Sequence, residues 1–366
     1  MNRWIKFGLS LAITLGSMWW TLSSMDWEKT KNALLSANWI VTLPVYLLVL
    51  VVIHLARTLR WGNLMSGLEK VPFKPLNEAS AIGFMMLIIL PFRLGEFARP
   101  FLIAERSKIR RSAAMTSVVL ERIIDGLIIA VLLRVLMFFV PEDAKDIGRI
   151  RIGANLMFLV FFSGFVFLLI ARWKHDLVIG LMRKTMGRLA PGLTEKVVHM
   201  VDGFVGALKQ LPDGKNMSLF FLWTLIYWVA NGAGMAFFAN GFDCSGAAGR
   251  ECLPLHLDYF HGYFLLCVVI VGMMIPAAPG SAGTAQMALI IGMGVFLPAA
   301  VVNSSGVAYA NGLWAVQIIQ QILFGLFFLV RSHSSFRDIA GRLSKQGEKS
   351  DDDKDEKQLA TGPGAP

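Results

Sequence analysis

The chain has 366 residues, of which 55% are hydrophobic and only 16% charged, and its mean hydropathy is +0.58. Soluble domains average about 25% charged residues, and several apolar runs here reach the roughly 20 residues that a bilayer-crossing helix needs, so an all-α polytopic membrane protein is expected. The net charge of +10 falls in short loops between apolar runs, where it meets lipid headgroups, and no basic–aromatic module for nucleic acid is present.

In chain order, residues 1–24 carry Arg3 and Lys6 ahead of an apolar run through Trp20. No small-residue cleavage site follows Met18-Trp19-Trp20, so this reads as an uncleaved first helix. A second run covers 39–59 and closes on Arg57 and Arg60. A third, 79–91, is about 13 residues or roughly 20 Å of helix, too short to span. Further runs lie at about 113–140, 153–171, 218–239, 258–275, 285–298 (again short) and 305–330. Between 172 and 217, Leu177, Ile179, Leu181 and Met182 alternate with Arg183, Lys184 and Arg188. That pattern suits helices lying on the membrane surface or a solvated linker. Residues 332–366, with Asp351-Asp352-Asp353 and a Gly-Pro-Gly-Ala-Pro end, read as a disordered tail after a membrane domain of residues 1–331.

Basic residues mark the cytoplasmic side. Segments 1–6, 57–78, 93–111, 172–217 and 331–366 hold 27 of the 35 lysines and arginines. Segments 22–38, 141–152 and 240–257 hold far fewer and fall on the other side. Both loops around 79–91 are then cytoplasmic, so that run dips in and returns with its partner. Runs 258–275 and 285–298 do the same from the far side. The expectation is about six full transmembrane helices plus two re-entrant helical hairpins in an inverted repeat, with halves near 39–140 and 218–330 and both termini cytoplasmic. Transporters with this plan place the substrate where the broken helices meet.

Two stretches carry ionisable groups inside this apolar frame, which marks a candidate site. The first turn holds Arg93, Glu96 and Arg99; guanidinium forks suit phosphate oxygens, although headgroup anchoring and an internal pair with Glu96 remain open. Glu121, Arg122 and Asp125 share one stretch of a long helix. Arg122 can reach Asp125 at i,i+3, which leaves Glu121 needing a cation such as Arg93 or Arg99. The alternative is a purely structural ion-pair network. The second turn holds Pro276, Pro279, Gly280, Gly283 and Thr284, where missing amides and open backbone interrupt any helix. A helix restarting near Ser281 would aim its N-terminus inward, as an anion site or as a packed kink. Arg134 is placed to snorkel, Asp258 and His261 to pair at an interface, and Asn303 and Asn311 to bond between helices. Cys244 and Cys252 share one loop and can form a disulfide in an oxidising compartment, while Cys267 reads as packing. No phosphate loop, zinc-protease helix or nucleophile elbow occurs, so no enzymatic activity, cofactor or metal is expected.

Pro91-Phe92-Arg93-Leu94-Gly95-Glu96, Val119-Leu120-Glu121-Arg122-Ile123-Ile124-Asp125 and Pro276 with Pro279-Gly280-Ser281-Ala282-Gly283-Thr284 resemble the transmembrane, flippase-like domain family of lysylphosphatidylglycerol synthases. The resemblance covers about residues 5–330. It implies a bacterial or archaeal inner-membrane protein tied to lipid translocation. Members fused to a cytosolic aminoacyltransferase domain also make the lipid; this chain carries no such domain, so lysyl transfer is not expected of it. It departs from the family pattern at Gln286, where a glutamate is frequent. The resulting expectation is translocation of an anionic phospholipid or lipid-linked phosphate between leaflets. The rival expectation is a non-transporting scaffold for a lipid-modifying or glycosyl-transferring enzyme. A homo-oligomer stays open.

Overall fold

Aspartates open three of the helices. Asp26, Asp213 and Asp258 each accept a hydrogen bond from the backbone N–H three residues on, at 3.1, 2.9 and 3.0 Å, satisfying a donor that a helix start leaves over. In the computed structural model the described residues are 25–90, 95–144, 146–173, 212–249, 251–274 and 279–332, with isolated positions at 19, 23, 180 and 184. They contain helices and no strand. The helices are α1 (Trp27–Ser36), α2 (Trp39–Met65), α3 (Phe73–Ile89), α4 (Ala98–Arg106) and α5 (Arg111–Met137). They continue with α6 (Ile147–Trp173), α7 (Gly214–Ala239), α8 (Tyr259–Met273), α9 (Thr284–Met293) and α10 (Ala299–Arg331), the last with a π-helical turn at Val302–Gly306. The expected helix within 1–24, most of the 172–217 connection and the tail from 333 on lie outside the described residues.

Among the described residues four helices are long and apolar enough to cross a membrane: α2, α6 over Ile147–Phe167, α7 with its following turn (Gly214–Phe242), and α10. Helix α5 is as long as α2, at 27 residues or about 40 Å, but carries Glu121, Arg122 and Asp125 near its middle. Helices α8 and α9 are apolar and short, 15 and 10 residues.

Helix α3 differs from the expected 79–91 run in starting six residues earlier. Pro75 falls in its first turn, where a missing amide does no harm. Asn77 and Glu78 do not end it because both are paired, Asn77 Oδ1 with His54 Nε2 at 2.8 Å and Glu78 Oε2 with Arg106 Nη1 at 2.5 Å. From Leu76 to Met86 the helix is buried without a break, so protein surrounds it on every side. It folds back on α4 to make one helical hairpin, and α8 on α9 makes another. Helix α2 packs on α7; α10 packs on α3, and α5 packs on α8. Each half's last helix therefore lies against the other half's hairpin.

Two glycines let the first hairpin close. A Cβ on Gly95 would stand 2.0 Å from the backbone nitrogen of Leu87, and one on Gly83 would stand 2.3 Å from Arg99 Cγ and 3.1 Å from its backbone nitrogen. The chain touches α3 backbone there, and no side chain fits between.

The described residues form two hydrophobic cores. The first takes Leu50 and Ile53 of α2, Ile129 and Leu133 of α5, and Tyr309 and Leu313 of α10. The second takes Trp61 and Met65 of α2, Ala114 and Val118 of α5, and Leu329 of α10. On all three helices the stretch between the cores is the polar one. At the first core's end, the Cys244–Cys252 disulfide closes a loop that holds α1, with Gly246 N donating to Ser36 O at 3.1 Å and Lys29 Nζ 2.7 Å from Glu251 Oε1.

A guanidinium-rich belt between the two cores

Residues 54–60 of α2 and 121–125 of α5 face each other in the gap between the cores. Arg60 reaches across with a full fork: Nη1 donates to Asp125 Oδ1 and Nη2 to Asp125 Oδ2, both at 2.7 Å, and Nη2 also donates to Glu121 Oε1 at 2.5 Å. Arg99 Nη1, from α4, donates to the other oxygen, Glu121 Oε2, at 3.2 Å. Arg60 is 1% exposed, and Glu121 and Arg99 2% each. Charges held so far from water need partners of this geometry, because desolvating a lone ion costs several kcal/mol.

Aromatic faces complete the belt. The Arg57 guanidinium lies 3.4 Å from the Phe84 ring centroid, and Arg99 sits 4.5 Å from the same ring and 4.3 Å from that of Trp61. Arg60 stacks over Tyr227 of α7 at 4.5 Å. Trp61 is itself fixed by its Nε1–H donating to Ser117 Oγ at 2.9 Å. Guanidinium groups held over ring faces keep their edges available for hydrogen bonds.

The belt carries more positive than negative charge. Arg57, Arg60, Arg99 and Arg122 face Glu96, Glu121 and Asp125. Among the described residues neither Arg57 nor Arg122 has a carboxylate within ion-pair distance. Glu96 is the acid that acts most strongly on Arg122, from farther away. Buried donors are left over as well: Nε of Arg60, Nε and Nη2 of Arg99, and Nε of Arg122 make no hydrogen bond among the described residues. Buried donors usually find a partner, and guanidinium edges without one are suited to the oxygens of an anion.

The structure thus brings together Arg99, Glu121, Arg122 and Asp125, with Glu96 at the edge. Arg93 lies outside the described residues. Arg99 does supply the cation for Glu121. The expected Arg122–Asp125 pair does not form: Arg60, approaching from another helix, covers both Asp125 oxygens. Sequence reasoning missed Arg57 and Arg60 as site residues because they close an apolar run already long enough to span. The signal was there in their i,i+3 spacing with His54, which puts three polar side chains along one face of α2.

In the second turn Pro276 lies outside the described residues. Gly280 and Gly283 adopt φ of +68° and +82°, and Ser281 +52°, so a sharp left-handed path replaces the helix there. Gly280 O accepts from Trp314 Nε1 at 2.9 Å, and Thr284 Oγ1 donates to Ser281 O at 3.1 Å. Gln286 has a defined task, since its Oε1 accepts the Gly283 N–H at 2.9 Å and caps the start of α9. Gln286→Leu should therefore lower stability by about 1 kcal/mol, measured as a melting shift in detergent. The turn rests on the first hairpin: a Cβ on Gly280 would stand 3.7 Å from Ile88 Cγ2. Ile88 follows Phe84, the ring that the arginines cover, by four residues, about one turn or 6 Å of rise along α3.

Other expected residues have local roles. Asp258 and His261 form a capping box at the start of α8. Arg134 is exposed in the last turn of α5 and donates to Asn155 Oδ1 at 2.7 Å. Asn311 does not bridge helices; its Nδ2 donates to Val307 O of its own helix at 2.9 Å, and the Asn303 carbonyl instead accepts from Asp26 N at 3.0 Å. Cys267 is buried and free. No group of metal-ligating side chains forms among the described residues.

Compared with known families, residues 7–325 match the model described as the lysylphosphatidylglycerol synthase TM region. No curated protein and no solved structure gives a significant match.

Proposed function

Since the chain belongs to the family of the lysylphosphatidylglycerol synthase TM region and is a multi-pass membrane protein, we propose that it moves an anionic phospholipid or lipid-linked phosphate between leaflets of the inner membrane. The observation that carries this reading is the surplus of cations in the buried belt. Arg57 and Arg122 would take the phosphate oxygens. Arg99 would join them, because its one ion-pair contact to Glu121, at 3.2 Å, is the longest in the cluster. An incoming headgroup would compete with Glu121 for it. The stronger Arg60 fork keeps the two carboxylates in place meanwhile. No catalytic step is assigned to any residue.

The same reading gives six full spans, counting α5 and the helix expected within 1–24, with the α3–α4 and α8–α9 hairpins entering from opposite sides. Three observations support it. Helix α3 is buried all round from Leu76 to Met86, the packing of one half's last helix on the other's hairpin is reciprocal, and the turn at Gly280 touches Ile88 near the tip of the first hairpin. The disulfide at the end that holds α1 supports placing that end outside the cytoplasm. Omitting Arg57, Arg60 and Arg99, which belong to the belt, from the opposite end's count leaves its excess of basic residues, and both termini stay cytoplasmic.

The test is leaflet-resolved transport of labelled phosphatidylglycerol in proteoliposomes. Wild type should accelerate its movement. The double variant Arg57→Gln, Arg122→Gln should lose about tenfold or more, as expected when charge-assisted hydrogen bonds to phosphate go. A folded wild-type protein that moves no lipid would leave the scaffold reading standing in its place.

A further inference from the structure

Next to the belt is a buried titratable side chain that the reading above does not use. His54 of α2 is 3% exposed. Its Nε2 lies 2.8 Å from Asn77 Oδ1 of α3 and 3.4 Å from Thr58 Oγ1. Its Nδ1 is buried and makes no hydrogen bond among the described residues. The ring meets Phe324 of α10 at 4.6 Å and Phe84 of α3 at 6.2 Å, both edge-on. Phe84 is the ring that carries Arg57 and Arg99, so His54 shares an aromatic wall with the unpaired cation and with the loosely held one.

We infer that His54 is a proton-binding residue whose protonation is linked to occupation of the guanidinium belt by an anion, so that headgroup and proton are carried together. The inference rests on the anionic-lipid reading and adds an energy source to it. With Nε2 donating to Asn77, the neutral ring presents a lone pair at Nδ1, and a second proton would have to bind there. The charged groups that act on the ring are Arg57 of its own helix and Arg99 of α4. Asn77, Phe84 and Phe324, facing it from α3 and α10, are uncharged, and among the described residues no carboxylate acts on it. A proton on Nδ1 therefore adds a cation to a cluster already rich in them. An anionic headgroup between the arginines removes that opposition. Anion binding then draws a proton from solution, and by reciprocity a proton on His54 tightens anion binding. A chain that binds both together can use a proton gradient to drive the lipid.

The experiment titrates the full chain in detergent at low buffer concentration with phosphatidylglycerol, reading bound lipid and proton uptake together. Wild type should take up close to one proton per lipid bound, and its affinity should fall as pH rises, approaching tenfold per pH unit. His54→Gln, which retains an amide for Asn77, should bind without proton uptake and with a flat pH profile. Wild-type binding with no proton uptake, or unchanged uptake in His54→Gln, overturns the inference and leaves the lipid reading intact. No phosphatidylglycerol binding at all overturns both. If His54→Gln does not fold, the imidazole 15N resonances of wild type decide. Phosphatidylglycerol must convert one buried histidine from neutral to charged, and no such shift refutes the coupling.

Discussion

Arg60→Met should be among the most damaging single charge removals in this protein. It strips Asp125 of both its hydrogen bonds and leaves Glu121 with Arg99 alone, two carboxylates one helical turn apart in a dry interior. Removing one partner of a buried pair costs about 3–5 kcal/mol, which for a chain of this length corresponds to a melting shift of roughly 4–7 °C. Neutralising the acids in the same protein, as Arg60→Met with Glu121→Gln and Asp125→Asn, should restore most of that loss. The damage comes from stranded charge and not from missing volume. The rescued triple variant should still fail to move lipid. Arg60→Met melting within about 2 °C of wild type would mean that Arg57 or Arg122 swings over to take the acids, against the fixed fork described above.

The second large effect belongs to a residue with no side chain. Gly95→Ala places a methyl group 2.0 Å from Leu87 N and 2.2 Å from the Met86 carbonyl carbon. These are backbone atoms of a helix buried on all sides, so neither partner can turn away as a flexible side chain would. Overpacking ordinarily costs about 1–3 kcal/mol, and here at least the upper figure is expected, because α3 and α4 must separate. Arg99 rides on α4, so separation also pulls it from Glu121. The expected result is a protein with a lowered melting point and lost transport. Gly148→Ala is the control: nothing lies within 4 Å of its new Cβ, and alanine in α6 should be neutral or stabilise by up to about 1 kcal/mol. Equal behaviour of the two variants would show that the first hairpin does not close as described.

How far the sequence disclosed all this depends on whether the signal was local. Apolar run lengths are local, and they located α2, α6, α7 and α10 to within six residues at either end. The Glu121–Arg122–Asp125 triplet is also local and announced a site on α5. Its pairing was not, since Arg122 stands one residue from Glu121 but points elsewhere, and the fork on Asp125 arrives from α2, 65 residues earlier. Arg57 and Arg60 misled for a related reason. A run of 39–59 satisfies the length of a bilayer, so arginines at its end look like anchors. Only the continuation of α2 to Met65 draws them inside. The early start of α3 was hidden by Asn77 and Glu78, polar residues that read as loop until their partners His54 and Arg106 are seen. The glycines at 83 and 95 could not be ranked above the other 32 in the chain, because close backbone contact leaves no trace in composition.

Native mass spectrometry of the purified protein, released gently from detergent, bears most directly on whether the surplus guanidinium charge holds an anionic headgroup. The account predicts that wild type retains an anionic, phosphate-bearing lipid at about one copy per chain, and that a folded Arg57→Gln, Arg122→Gln variant does not. Retention of the same lipid by that variant, or a wild-type chain that carries only zwitterionic lipid, would contradict it.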